Sequence, residues 1–527
     1  MIKTDIRVPV GYTAEDVKSA IVSHIPVDRS EIWDFRIIKR TLDVKNKSDI
    51  HYKMTVAMEL DAEREAGLLK MKKKVFSAEE YSFSSPKSSL ASRPVVVGSG
   101  PAGLFSALIL AEGGARPIVL ERGLAVEERR KKVESFFRSS KLDSECNVQF
   151  GEGGAGTYSD GKLKAGAYDK YKMKVLREFY LSGADEEILY SSNAHIGTDR
   201  LSDIVKKIRE KIISLGGEFI FSAKLTDIKI KNGAVASAVY EMAGCKYEIP
   251  TENIILAIGH SARDTFYMLN GLGLAMEARG FGIGVRIEHP REYINRLVYG
   301  ECAPEGIETA SYRLVTHLEN GRSVYSFCMC PGGSVVAAAS EHGGIVTNGM
   351  SEYLRGGENS NAAFLVSVTP RDFGSDSALA GFEFQRRIER AAYSLTSSYK
   401  APSITMRDFS EGRSPVSLGS VSPSYPIGTE PVSQEKYLPP FVTESLRASI
   451  SDFDKWMPGF YFGDAVLTGP ETRTTSPVRI LRTCGFESLT ISGLYPAGEG
   501  AGYSGGIISS ATDGIKCAEA MLLKNSK

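Results

Sequence analysis

The chain is 527 residues long, 42% hydrophobic and 24% charged, with 64 Lys and Arg against 64 Asp and Glu. That length is more than one hydrophobic core serves and implies two to three domains. Zero net charge provides no global field to gather nucleic acid or an anionic membrane.

No run approaches the ~18 apolar residues of a membrane span, and the opening Met1-Ile2-Lys3-Thr4-Asp5 has no apolar leader. The cysteines (Cys146, Cys245, Cys302, Cys328, Cys330, Cys484, Cys517) lack Cys-x-x-Cys or Cys/His ligand spacing, which argues against a disulfide framework and against a metal site. A reducing cytoplasm is the expected setting.

Residues 1–76 read as a separate α+β module. Residues 2–10 form a strand, and Thr13 with Asp16 caps a helix that puts Val17, Ala20, Ile21 and Ile25 on one face. Residues 32–44 and 52–60 alternate as strands, so the β-α-β-β order predicts a ferredoxin-like fold, with packing against a sheet edge as its plainest role. Serine-rich residues 77–92, with Pro86, read as a linker.

Residues 93–270 then open a doubly wound α/β unit. Val95-Val96-Val97 reads as a buried parallel strand, followed by Gly98, Gly100 and Gly103 at G-x-G-x-x-G spacing and a helix from Pro101 to about Ala111. A second strand ends on Glu121. The first glycine permits the sharp turn, the second leaves room for a diphosphate, and the third lets helix pack on strand. The helix start at Pro101 and Ala102 offers free N–H groups to the phosphates. Glu121, beside Arg122, is placed to accept from a ribose hydroxyl.

A charged helix over 124–140 follows. Its Arg129-Arg130-Lys131-Lys132 run, like Lys72-Lys73-Lys74, reads as a solvated face. The stretch from Cys146 to Leu163 is too glycine-rich for helix or central strand and reads as a loop passing close to something flat or phosphorylated. Asn232-Gly233 marks a hairpin turn, and 253–259 is a buried strand ending in glycine. Residues 271–458 mix short strands with proline-punctuated loops and read as an inserted α+β substrate or cap domain. Residues 459–527 return to the first texture: a strand, the Gly498-Glu499-Gly500 turn and a closing helix from Ile507.

The motifs V-V-V-G-S-G-P-A-G, F-G-E-G-G-A-G-T-Y-S-D-G-K-L, N-I-I-L-A-I-G-H-S-A-R-D, T-R-T-T-S-P-V-R-I and G-L-Y-P-A-G-E-G-A-G-Y-S-G-G-I together resemble the FAD-dependent dehydrogenases of glutathione-reductase type. They are closely similar to the group called NAD(FAD)-utilizing dehydrogenases. The resemblance implies a two-part Rossmann-like FAD-binding domain. Leu225 would meet the adenine, and Ala257 and Gly259 the ADP half. Gly153, Gly154, Ala155, Gly156 and Thr157 would run beside the diphosphate and flavin. Gly498 and Glu499 would lie at the ribityl region, while Gly505, Gly506 and Ile507 would bring a helix N-terminus to the flavin's pyrimidine edge, where it favours anionic reduced flavin. No second G-x-G-x-x-G follows a strand and no Cys-x-x-x-x-Cys occurs, so NAD(P)H is expected only as a diffusible co-substrate.

The chemistry expected is hydride transfer between FAD and a small-molecule substrate, with the protein managing one proton. Candidate cationic clamps are Arg473, Arg286 and Arg263; His260, after the Gly259 turn, is placed to reach the cofactor or to cap the turn, and the candidate proton carriers are His289 and His342. Cys328 and Cys330 read as buried free thiols, and Asp160 and Lys162 as an ion pair or flavin contacts. The rival readings are a flavoprotein acting on RNA and a non-catalytic flavin-binding protein.

Overall fold

The computed structural model describes residues 1–70, 75–77, 81–163 and 169–524; Lys72, Lys73 and Lys74 lie outside them. The fold is mixed α/β. At its centre is a five-stranded parallel sheet in the order Leu494–Pro496, Ile254–Leu256, Val95–Val97, Ile118–Leu120, Glu218–Ile220. All of these strands but Glu218–Ile220 are buried throughout, as expected where both faces of a parallel sheet are covered.

Helix Pro101–Glu112 is apolar all round and buried from Ala102 to Ala111. It therefore lies between layers, packed against helix Ile507–Lys524 in one core with Val96, Ile255 and Tyr495. Strands Lys224–Lys231, Ala234–Met242 and Cys245–Pro250 form an antiparallel excursion. Its Asn232-Gly233 turn has φ of 53° and 76°, the left-handed pair a tight hairpin requires.

A second, seven-stranded sheet runs Val315–His317, Ser323–Cys330, Asn359–Val368, Phe281–Pro290, Val466–Glu471, Ala401–Thr405, Thr429–Pro431. It shows that the expected domain boundary at residue 458 is misplaced, because Val466–Glu471 is an inner strand of this sheet. Of the prolines read as loop punctuation, Pro440 instead opens helix Pro440–Trp456, where a missing N–H costs nothing.

The N-terminal residues form an antiparallel sheet in the order Asp34–Asp43, His51–Glu59, Ile2–Pro9, Phe76–Ser77. Its helices are Ala14–His24, opened by the Thr13–Asp16 capping box, and Ala62–Lys70. This module docks through Arg40. The Arg40 N–H donates to Tyr190 O at 2.8 Å and Arg40 O accepts from Ser192 N at 2.9 Å. The guanidinium pairs with Glu187 and lies 4.7 Å from the Tyr52 ring centre and 5.5 Å from that of Tyr190.

Arg40→Ala removes the ion pair and both ring contacts, worth about 1–2 kcal/mol together. Hydrogen exchange is expected to speed up about 5- to 30-fold across residues 186–192 and to stay unchanged in Ile254–Leu256; equal protection in both variants would show that Arg40 does not hold the module.

Candidate functional site

The two sheets face each other across a cavity of about 570 Å³. One wall is made by the carboxyl ends of the parallel strands (Gly98, Glu121, Ala257 to Gly259, Ala497), where ligands of open α/β sheets sit. The other is made by the seven-stranded sheet, through Ser326 to Met329, Ala363, Leu365 and Glu471. Of the other residues expected at a cofactor, Gly100, Pro101, Ala102, Arg122, Gly154, Ala155, Gly156, Leu225, Gly259, Glu499, Gly505, Gly506 and Ile507 also line it.

The first glycine turn is built as its spacing requires. Gly98 has φ of 95°, and a Cβ there would stand 2.4 Å from Ala257 O. A Cβ at Gly103 would stand 1.8 Å from Gly98 O, so this residue serves close helix packing and does not line the cavity. Gly100 differs: the nearest protein atom to its Cβ position is 3.7 Å away, and Gly259 and Gly505 have none within 4 Å. These are backbone surfaces on which a phosphate or ring can rest directly.

Two buried ions fasten this turn to the glycine-rich loop. Glu121, 4% exposed, accepts from Ser99 N at 2.9 Å and Ser99 Oγ at 2.7 Å through Oε2, and from Gly123 N at 2.9 Å and Gly151 N at 3.0 Å through Oε1. Its carboxylate is thus engaged by protein donors, and a ribose hydroxyl would have to share them.

Arg129, fully buried, donates to the carbonyls of Asn147 at 3.0 Å, Val148 at 2.9 Å, Glu152 at 2.6 Å and Gly154 at 2.9 Å. The solvated face expected of the basic run therefore holds for Arg130, Lys131 and Lys132 but not for Arg129, which points inward because the loop's carbonyls have no strand to pair with. Nothing in the local sequence marks it out from its neighbours.

The remaining expected cofactor residues divide by geometry. Arg122 lies 4.0 Å over the Phe150 ring and is held by Glu145 and Asp264 at 2.8 and 2.9 Å. Gly153 and Thr157 stand behind the cavity wall, Gly153 N donating to Ser99 O at 2.9 Å. Gly498 also sits behind it: its N–H donates to Asp513 at 2.7 Å, and a Cβ there would meet Ala102 at 2.7 Å. Glu499, by contrast, lines the cavity, and its carboxyl group has no hydrogen-bond or ion partner among the described residues. Burial pushes its carboxyl up to about 7, as suits an acceptor waiting for a ligand hydroxyl.

The three catalytic candidates need correction. Arg473 lines the cavity, but its guanidinium is committed to Glu389 at 3.0 and 2.9 Å and to Ser340. Glu389 is gripped from the other side by Arg263 at 2.8 and 3.0 Å. Burial opposes its charge, but Arg263 and Arg473 prevail and hold the carboxyl well below the usual range. Arg473 and Arg263 are thus the arms of a buried clamp rather than substrate clamps.

Arg286 is fully buried in the seven-stranded sheet, bonded to Asn361, Cys328 O and Glu471, and does not line the cavity. His260 lines it, with Nδ1 3.0 Å from Ser261 Oγ. Burial and the charges of Arg473 and Arg263 push it down to about 3, so it stays neutral at ordinary pH and is no cationic acid there.

His289 is a core residue against Phe460 O at 3.0 Å, and His342 lies in a separate groove with Arg386 and Arg390. Asp160 pairs with Arg355 at 2.6 Å and, as expected, with Lys162 at 4.0 Å, and Lys162 also donates to Met329 O. Cys330 is buried as expected, but Cys328 opens onto the cavity: a register shift between Phe327 and Cys330, with φ of 51° at Cys328, breaks the strand's alternation.

Arg129→Met leaves buried carbonyls without donors, at a cost of about 3 kcal/mol. The melting temperature should fall and FAD affinity, read by fluorescence titration, should weaken at least ~10-fold; unchanged affinity would show that the loop does not depend on Arg129. For Glu499 the folded-state value lies above the ordinary 4.5, so folding binds a proton and this group's contribution declines as pH rises from about 4.5 through 7. The melting temperature of the cofactor-free chain should accordingly decline less over that window in Glu499→Gln than in the parent; parallel curves would contradict the assignment.

A family model described as "FAD-dependent protein, C-terminal domain-like" matches residues 280–474, the span of the seven-stranded sheet. An uncharacterized protein of Clostridium beijerinckii is 46% identical over 516 residues, covering 96% of each chain. Among solved structures, a flavin-dependent brominase is similar at 12% identity over 82% of this chain and 79% of its own, with a TM-score of 0.37. The E. coli quinol fumarate reductase is similar at 11% over 85% and 71%, with a TM-score of 0.36. Likeness this weak carries no argument about the fold or its chemistry. The chain belongs to one family with the Clostridium protein, its residues 280–474 match the C-terminal domain of FAD-dependent proteins, and its cofactor is FAD.

Proposed function

We propose that the protein is an FAD-dependent oxidoreductase of the NAD(FAD)-utilizing dehydrogenase group, acting on a small molecule held against the seven-stranded sheet. The observation that carries this reading is the continuity of one cavity from the glycine turn at Gly98 and Gly100 to the sheet wall at Phe327, Leu365 and Glu471. Cofactor and substrate positions then share a single space. FAD, when bound, supplies the ring that takes or gives hydride.

The chain's own part is binding, orientation and proton management. The Gly100–Pro101 helix start would receive the diphosphate, Glu499 a ribityl hydroxyl, and the Gly505-Gly506-Ile507 entry the ring's pyrimidine edge. In this reading residues 93–270 and 472–527 form a two-part Rossmann-like domain around the inserted sheet, and the N-terminal ferredoxin-like module braces segment 187–192. NAD(P)H would visit as a diffusible reductant. The cations that line the cavity (Arg122, Lys162, Lys224, Arg313, Arg473) are matched by Glu121, Asp160, Glu471 and Glu499, which favours a small molecule over RNA, whose binding calls for a basic track.

The full chain should purify yellow or take up FAD stoichiometrically, and anaerobic stopped-flow mixing with NADH and NADPH should bleach the flavin band with at least one of them. A flavin band that neither nucleotide bleaches would refute the diffusible-reductant reading, and a chain that takes up no FAD would refute the oxidoreductase reading itself.

A further inference from the structure

Hydride chemistry at a flavin leaves one proton to be held, and the histidines considered above are neutral, buried in the core or remote. Among the other titratable groups of the cavity, Asp160 is tied to Arg355 and Glu121 to backbone amides. Burial pushes the Cys328 thiol up, so it is no thiolate at neutral pH. Two carboxyls remain with an uncommitted oxygen, on opposite walls. Glu499 stands in the glycine turn on the cofactor side. Glu471 ends an inner strand of the seven-stranded sheet on the facing side.

We propose that Glu471 holds and releases the proton of the reaction, on a substrate that bears an alcohol or amine on an apolar body. The proposal rests on the oxidoreductase reading and assigns a role that reading leaves open. Glu471 is 3% exposed. Its Oε2 accepts from Arg286 Nη1 at 3.3 Å, whereas Oε1 has no hydrogen-bond partner among the described residues, and the residue lines the cavity. Beside it the wall is apolar, made by Phe327, Met329, Ala363 and Leu365.

The groups that face Glu471 are Arg286 from strand Phe281–Pro290, and Tyr325 and Cys328 from strand Ser323–Cys330, with Lys162 and Asp160 beyond Cys328. Arg286 alone among its direct neighbours is charged near neutrality. Burial pushes Glu471 up to about 7 against the pull of Arg286, so both protonation states are accessible. In the oxidising direction the substrate C–H bond breaks with its electron pair passing as hydride to oxidised FAD. The O–H or N–H bond breaks with its electrons forming the C=O or C=N bond, and that proton passes to Glu471 Oε1. The reverse returns both.

Infrared difference spectroscopy on the full chain tests this without knowledge of the substrate. In the cofactor-free chain the protonated-carboxyl band titrating near pH 7 should lose one carboxyl's amplitude in Glu471→Gln. In the FAD-loaded chain, photoreduction at pH 7 would add negative charge to the cavity, and a carboxyl facing the ring should answer by taking up a proton in the parent and in Glu499→Gln but not in Glu471→Gln. Glu471→Asp, which keeps the charge opposite Arg286, should shift that band rather than abolish it, and decides the matter if the Gln variant does not fold. A reduction signal that persists in Glu471→Gln, does not move in Glu471→Asp, or vanishes in Glu499→Gln instead overturns the proposal. Failure to bind FAD would count against the oxidoreductase reading, while the cofactor-free titration would still decide whether Glu471 is free to take a proton.

Discussion

The site depends on two buried ions of opposite sign that are satisfied by backbone rather than by each other. Glu121 gathers the amides of Ser99, Gly123 and Gly151, and Arg129 gathers the carbonyls of Asn147, Val148, Glu152 and Gly154. A loop rich in glycine loses much conformational entropy on folding and has no ladder to satisfy its peptide groups. Each ion supplies several charge-assisted bonds from one fixed point. The loop is thereby held against the Gly98 turn, and the backbone cradle exists before any ligand arrives.

The second sheet brings a different economy of charge. Its buried ions are paired in an almost closed set: Glu389 between Arg263 and Arg473, and Arg286 against Glu471. Breaking such a pair by removing one partner is costly, so these arginines fix the sheet's position over the cavity. Glu471 differs from Glu389 because it meets one cation through one oxygen. That asymmetry leaves its other oxygen without a hydrogen-bond partner among the described residues, in a residue that lines the cavity.

Much of the first wall was legible in the sequence. Gly98, Gly100 and Gly103 announce their backbone geometry by spacing alone, and the triple-valine and triple-aliphatic strands announce a sheet covered on both faces. Asn232-Gly233 announces its turn. The second wall was not legible, because an arginine in a strand, such as Arg286, or one after a strand, such as Arg473, looks the same whether it faces substrate or a buried carboxylate. Its partners Glu471 and Glu389 lie 185 and 84 residues away in the chain. Arg129 was hidden by its basic neighbours, since helical register decides which of them turns inward. Cys328 escaped the alternation argument because a bulge interrupts the strand at that point.

The central claim is that the two glycine turns and the sheet enclose one extended FAD. Crystals of the full chain grown with FAD test it most directly through the position of the cofactor's density. The diphosphate should rest on Gly100 and Pro101, the ribityl chain should pass Glu499, and the ring should face Phe327 and Glu471 across the cavity. Diphosphate density in the neighbouring groove of Arg386 and Arg390, or a ring turned away from the seven-stranded sheet, would contradict the account.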